Sequence, residues 1–358
     1  MGSVKNAQCG YLVRNKFMLC FPERKNMSFK GWERVKIITS DNQQVEALAP
    51  LIISASRSTD IPAFYAQWFI DRLKRGYVRW INPFNGKSTF VSFEKVRLIA
   101  FWSKNPSPII PLLDELDRRG IYYLFQVTLN DYEKEALEKK VPPLENRIKT
   151  FKTLSERAGK RKVMWRFDPL ILSDKISPEI LCERIGRIGD EIHSYTERLT
   201  LSFLSLYTSV YRNLRKAAIK VRQFSPEDID YIGGYLVKKN KEWGLNILSC
   251  AEKTDLSRFG IGHGSCIDPM LIGDLFGDDP VLGDFLGLEK RNDLFGNETV
   301  YRKKLKDPGQ RDLCGCIASK DIGRYNTCPH LCTYCYANSY PGKVIEQYKS
   351  RQEFGDSI

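Results

Sequence analysis

From Leu51 onward the chain repeats one pattern: a short, largely apolar run, a polar break, then a stretch with apolar residues every three or four positions. The apolar runs fall at 51–55, 96–102, 122–129, 162–167, 198–206 and 245–250. Runs of this length without strict alternation belong to strands buried on both faces. The amphipathic stretches between them, at 64–73, 109–119, 144–158, 178–192, 211–221 and 226–243, predict helices. Thr59 or Asp60 can cap the first of these, Pro62 suits its first turn, and Gly76 ends it. A helix between successive strands makes the strands parallel, because antiparallel neighbours need only a hairpin. The fold class is therefore α/β. Polar residues collect at the C-terminal end of every run, which favours a partial (βα)6 TIM-like barrel with one functional mouth over an open doubly wound sheet.

Two departures flank this rhythm. Residues 35–39 and 45–48, separated by the polar turn at 41–44, predict a hairpin. Beyond Cys250 the repetition stops, and only 268–276 and 280–286 carry short helical patterns. The chain thus divides into a non-core extension (1–26), a barrel-type domain with an N-terminal hairpin (27–250) and a Cys-rich, loop-rich segment (251–358) folded over the mouth. A chain of 358 residues can bury a barrel-sized core. No apolar stretch approaches the ~20 residues of a membrane span, and no signal-peptide core opens the chain. A cytoplasmic protein with reduced cysteines is the expectation, with no membrane partner. The net charge of +13 raises nucleic acid as a partner, but the basic residues are spread over helices rather than gathered in a stripe.

Seven of the ten cysteines lie between Cys250 and Cys335, and three of them form one loop. Cys328, Cys332 and Cys335 are spaced C-x3-C-x2-C, with Tyr334 directly before the last. Three such thiolates can hold three irons of a [4Fe–4S] cube and leave the fourth iron without a protein ligand. Zinc asks for four ligands, and His330, inside the first short span, is an awkward fourth. The spacing resembles the cluster loop of the radical S-adenosylmethionine (SAM) superfamily. That resemblance implies SAM chelated at the open iron, with Tyr334, Tyr336 and Asn338 as cofactor-binding candidates around the loop. Cys250, Cys266, Cys314 and Cys316 are four further thiols. They supply ligands for a second metal centre, a second iron–sulfur cluster or zinc, or they are small buried apolar residues. Intervals of 16 and 48 residues do not decide between these.

The strand ends carry Arg57 and Asp60, Lys104, Gln126 and Thr128, Arg166 and Asp168, Ser202 and Ser205, and Glu252. In a barrel they converge on one cavity. Arg57, Lys104 and Arg166 suit a carboxylate or phosphate, and Asp60, Asp168 and Glu252 suit ribose hydroxyls or proton transfer. The plainer alternatives are a helix cap for Asp60, a structural ion pair for Arg166 and Asp168, and a solvated Lys104.

The segments at 51–65, 101–106, 165–169, 250–252 and 326–338, together spanning roughly 30–340, look like a bacterial family of uncharacterised proteins. Its C-terminal cysteine cluster is likened to that of radical SAM enzymes. The resemblance implies an enzyme using a [4Fe–4S] cluster and SAM to abstract hydrogen from a substrate it does not name, with a flavodoxin or ferredoxin as reductant. The alternatives are a non-catalytic iron–sulfur or zinc protein and a basic nucleic-acid-binding module. A catalytic cluster further requires the 328–335 loop to lie near Arg57, Lys104, Arg166 and Asp168, more than 150 residues away.

Overall fold

The computed structural model describes residues 29–293, 296–301, 305–350 and 355–358. The extension expected at 1–26 lies outside the described residues. Eight parallel strands form the main sheet: β1 (Ile52–Ala55), β2 (Leu98–Ser103), β3 (Tyr122–Thr128), β4 (Val163–Leu170), β5 (Arg198–Phe203), β6 (Asn246–Cys250), β7 (Gly262–Gly264) and β8 (Lys320–Asp321). Their spatial order is β7-β6-β5-β4-β3-β2-β1-β8. The first six are those the sequence predicts, in chain order across the sheet. The six-strand expectation falls short by the two edges, both supplied by the chain after Cys250.

The six central strands read as apolar runs because both faces of the sheet are covered. On one face Ile53, Ile99, Phe101, Phe125, Val127, Trp165 and Phe167 pack under the helices. On the other, Ile52, Leu98, Ala100, Leu124 and Met164 meet Ile267, Ile272, Phe276, Leu282 and Leu286. The segment after Cys250 therefore shares an apolar core with the sheet, its own Ile, Leu and Phe side chains filling the second face.

The helices have the termini their sequences encode. Asp60 accepts from the Ala63 N–H at the start of α1 (Ile61–Phe64), and Gly76 (φ 84°) closes α2 (Ala66–Arg75). After α3 (Leu113–Arg118), α4 (Leu144–Ala158) and α5 (Pro178–Ile192) come α6 (Thr208–Lys216) and α7 (Pro226–Trp243). The last of these opens with a reciprocal Ser225–Asp228 capping box. No helix among the described residues is long and apolar enough to cross a membrane.

The predicted hairpin forms from Glu33–Ile38 and Gln44–Ala49, and it belongs to a second sheet completed by Ser88–Ser92 and Tyr77–Ile81. The C-terminal residues brace that sheet. The Asp356 carbonyl accepts from the Arg79 N–H at 2.7 Å, its carboxylate pairs with Arg72, and Trp68 Nε1 donates to the Gly355 carbonyl at 2.9 Å.

Candidate functional site

The ends of β1 and β2 meet at Asp60. Its carboxylate accepts from the Ser103 hydroxyl at 2.8 Å, the Lys104 N–H at 2.7 Å and the Ala63 N–H at 3.0 Å. A fourth contact comes from the cysteine loop: His330 Nε2 lies 2.8 Å from Asp60 Oδ2, while His330 Nδ1 faces the Lys140 carbonyl at 3.3 Å. Both ring nitrogens are thus engaged, which removes His330 as a zinc ligand. Asp60 caps α1 and also anchors the loop.

A second anchor is a buried charge network. Lys104 Nζ donates to Glu138 Oε1 at 2.7 Å and to the Tyr334 hydroxyl at 2.9 Å. Asn130 Nδ2 reaches the same Glu138 oxygen at 3.3 Å and the Tyr334 hydroxyl at 3.1 Å. Tyr334 donates to Glu138 as well, and Arg147 Nη1 lies 3.6 Å from its second oxygen. Burial works to lower the Lys104 pKa, and the Glu138 carboxylate together with the Cys332 sulfur leaves a net rise. Burial likewise opposes ionisation of Glu138, and Lys104 and Arg147 together pull its pKa below the usual carboxylate value. Lys104 is not solvated; it is paired and held against the loop.

Between these anchors sit the three thiols. Cys332 is buried, and Cys328 and Cys335 are half-buried. Burial pushes all three thiols up, and each also feels at least one charged or thiol neighbour, Cys328 through Asp60 and Cys335, Cys332 through Lys104 and Glu138. Backbone N–H groups of His330 and Asp60 work against this at Cys328, as do those of Ala337 and Asn338 at Cys335. Backbone N–H groups near a sulfur, as at Cys328 and Cys335, suit thiolates that hold and tune an iron–sulfur cluster. The Asn338 amide nitrogen donates to the Cys328 carbonyl at 2.7 Å, while its Oδ1 is buried without a hydrogen-bond partner among the described residues. The donor set fits a three-thiolate cluster. Among the described residues no group of three or more His, Cys, Asp or Glu side chains is arranged to hold a single metal ion as it stands.

The other four thiols gather elsewhere on the sheet. Cys250 ends β6, Cys266 follows β7, and Cys314 and Cys316 precede β8. Cys250 Sγ lies 3.4 Å from Cys266 Sγ, and the N–H groups of Cys266 and Ile267 donate to Cys316 Sγ at 3.2 and 3.4 Å. Arg166 Nη1 donates to Cys266 Sγ at 2.8 Å and its Nε to Asp168 at 3.1 Å, and Asp168 also receives the Ser202 hydroxyl. Hydrogen bonds from Cys250 and Cys316 lower Cys266 well below the ordinary thiol value, aided by Arg166 and Arg57. A bond from Cys316 brings Cys314 down to about 6.

The candidate residues therefore separate into two sets. Asp60, Lys104, Tyr334 and Asn338 belong with the three-thiol loop, whereas the Arg166 and Asp168 side chains face the four-thiol group. The Asp168 backbone is nonetheless tied to the loop, since Asn130 bonds both its N–H and carbonyl and the Tyr334 hydroxyl. Arg57 stands between them. Its carbonyl accepts from the Tyr336 hydroxyl, and its Nη1 reaches Ser319 at 3.2 Å and Asp307 at 3.8 Å. Glu252, two residues after Cys250, lies on the four-thiol side: its carboxylate accepts from the Phe203 N–H at 3.0 Å, and burial, together with nearby Asp168, raises its pKa. Ser205 receives a long bond from Arg311 at 3.4 Å.

Sequence reasoning missed Asn130, Glu138, Arg147 and Asp321. Asp321 in β8 ties down the Ser56–Ser58 turn, accepting from Ser56 at 3.0 Å, the Arg57 N–H at 2.8 Å and Ser58 at 3.3 Å. None of these residues lies in a recognisable motif. The one available signal was a set of polar residues in segments that fold against apolar strands.

Comparison with known proteins adds little about activity. No curated protein matches the chain. A solved structure described as a putative alpha-L-fucosidase from Bacteroides thetaiotaomicron is similar at 10% identity, over 71% of this chain and 83% of that one, with a TM-score of 0.23. So low a score carries no argument about fold or function. A family model does match, over residues 52–337, which takes in every anchor and all seven of these cysteines: the chain belongs to the family described as a domain of unknown function, DUF1848.

Proposed function

We propose that this chain is a radical SAM-type enzyme in which Cys328, Cys332 and Cys335 hold a [4Fe–4S] cluster over the ends of a barrel-like sheet. Such a cluster, when bound and reduced by a flavodoxin- or ferredoxin-type donor, supplies the electron that splits SAM into methionine and a hydrogen-abstracting 5′-deoxyadenosyl radical. The observation that carries this reading is the pair of anchors joining the loop to strand-end residues, His330 to Asp60 and Tyr334 to Lys104 and Glu138. A cluster that served only structure or electron transfer has no need of that placement, whereas a radical enzyme must generate its radical beside a shielded substrate.

The chain's own residues take the following parts. The Asp60–His330 and Lys104–Glu138–Tyr334 contacts orient the loop and exclude water beneath it. The Asn338 Oδ1, buried without a hydrogen-bond partner among the described residues, is a polar atom available to a bound cofactor or substrate. Glu252, kept inclined to protonation by its burial, is suited to hold and return a proton. Barrel-like closure is supported by the Ile317 N–H, which donates to the Ile267 carbonyl at 3.1 Å and so joins the chain beyond β7 to the chain before β8.

The test is iron and sulfide analysis of anaerobically reconstituted protein, followed by a reductive SAM-cleavage assay. Wild type should carry a four-iron cluster and release 5′-deoxyadenosine, and the Cys328→Ala/Cys332→Ala/Cys335→Ala variant should do neither. Unchanged iron in that variant overturns the ligand assignment. Iron without SAM consumption, and without any effect of SAM on the reduced cluster's EPR spectrum, replaces the enzyme with an electron-transfer protein.

A further inference from the structure

We propose that Cys250, Cys266, Cys314 and Cys316 bind a single tetrahedral zinc-class ion that ties together the two edges of the parallel sheet. This site is independent of the iron–sulfur reading of the 328–335 loop.

β7 and β8 are the outermost strands, and they come from segments of the chain more than 50 residues apart. Cys250 and Cys266 flank β7 on one side, and the Cys314-Gly315-Cys316 turn leads into β8 on the other. The four sulfurs thus belong to both edges, yet they are gathered in one buried cluster with Ile267 and Ile317. Four cysteines brought together from two edges give the all-thiolate ligand set of structural zinc sites.

Spacing then distinguishes the type of centre. A Zn–S bond of about 2.3 Å places neighbouring sulfurs of a tetrahedral site ~3.8 Å apart. The Cys250–Cys266 separation of 3.4 Å is close to that edge, and far longer than the ~2.05 Å of a disulfide. In an iron–sulfur cube each thiolate has its own iron, and the sulfurs stand well apart. The sulfurs form a string rather than a finished shell, so coordination asks the 314–316 turn to close onto Cys250 and Cys266. Gly315 already holds that turn tightly against the residue before Cys266: a Cβ there would lie 2.4 Å from Ser265 Oγ.

The surroundings are those of anionic sulfur. Two backbone N–H groups donate to Cys316 Sγ and one guanidinium N–H to Cys266 Sγ. Arg57 is nearly buried, feels both Cys316 and Cys266, and has a buried Nη2 with no hydrogen-bond partner among the described residues. Neutral thiols are weak acceptors and leave such donors poorly satisfied, whereas metal-bound thiolates accept them.

The experiment uses the full chain. Metal analysis after expression in zinc-supplemented medium should find one zinc per chain. The same zinc should remain in the Cys328→Ala/Cys332→Ala/Cys335→Ala variant and fall at least tenfold in Cys314→Ser/Cys316→Ser. Zinc K-edge absorption on the wild type, which needs no variant, should give a four-sulfur shell. Absence of zinc, a shell containing nitrogen or oxygen, or iron and sulfide retained in equal amounts by the 328–335 variant would each overturn the single-ion site.

Discussion

The two cysteine groups of this protein follow plans that differ in how the nearby cation meets sulfur. Around Cys328, Cys332 and Cys335 the nearby cation is already spoken for, because Lys104 is matched by Glu138. Cys332 faces that pair and Cys328 faces Asp60, and burial raises all three thiols. Around Cys250, Cys266, Cys314 and Cys316 the cations are paired with carboxylates too, Arg166 with Asp168 and Arg57 with Asp307, but Arg166 also bonds the Cys266 sulfur directly. The first plan fixes a loop by side chains other than its cysteines and leaves the thiols to whatever binds them. The second makes the thiols themselves the joint between two sheet edges. On the proposed reading a metal at the first site would add chemistry to a loop that is already anchored, and one at the second would add stability.

The largest expected effect tests the first plan. Glu138→Gln leaves Lys104 and Arg147 facing a neutral amide in a buried site, and breaking a buried ion pair from one side costs about 3–5 kcal/mol. Urea denaturation should report that loss. Alkylation followed by mass spectrometry should show Cys328, Cys332 and Cys335 labelling faster, with Cys250, Cys266, Cys314 and Cys316 unchanged. Equal acceleration at all seven would break the comparison, since the two groups would then open as one cooperative unit.

How much of this the sequence disclosed follows the same division. The six central strands and the helices 144–158, 178–192 and 226–243 were legible because burial on both faces and helical periodicity leave local marks. The edges β7 and β8, of three and two residues, leave none, nor did Tyr77–Ile81 and Ser88–Ser92, whose pairing depends on the second sheet forming. At the site, the cysteine spacing and the strand-end charges could be read, but their grouping could not. Nothing local separates Lys104, which turns to Glu138, from Arg166, which turns to Cys266. Asn130 meets Tyr334 across 204 residues, and a partner at that distance is chosen by the fold.

A middle-sized effect probes the second plan through the turn that carries Arg57. Gly323 lies so close to that turn that a Cβ there would come within 2.6 Å of Ser56 Cβ. Gly323→Ala should displace Ser56–Ser58 and cost ~1–3 kcal/mol of stability, as overpacking does. Because Asp321 and Arg57 move with the turn, the labelling rate of Cys316 should rise more than that of Cys332. The reverse order would mean that Arg57 guards the three-thiol loop, and the assignment of the two cations would have to be exchanged.

The smallest effect concerns a hydroxyl that links the two regions. Tyr336 extends from the cysteine loop and donates to the Arg57 carbonyl, with its ring 6.0 Å from Tyr207 and 6.1 Å from Tyr325. Its side chain is 42% exposed, so Tyr336→Phe removes a bond that water can partly replace and should change stability by no more than about 1 kcal/mol. The ring contacts survive the change. If Tyr336 serves only as a tether, SAM consumption should stay within a few-fold of wild type and both cysteine groups should keep their labelling rates. A large loss of SAM consumption at unchanged stability would instead place this hydroxyl against cofactor or substrate. The space between Arg57 and Cys335 would then be the seat of the chemistry, and the line between a region that reacts and a region that braces would run through Arg57 itself.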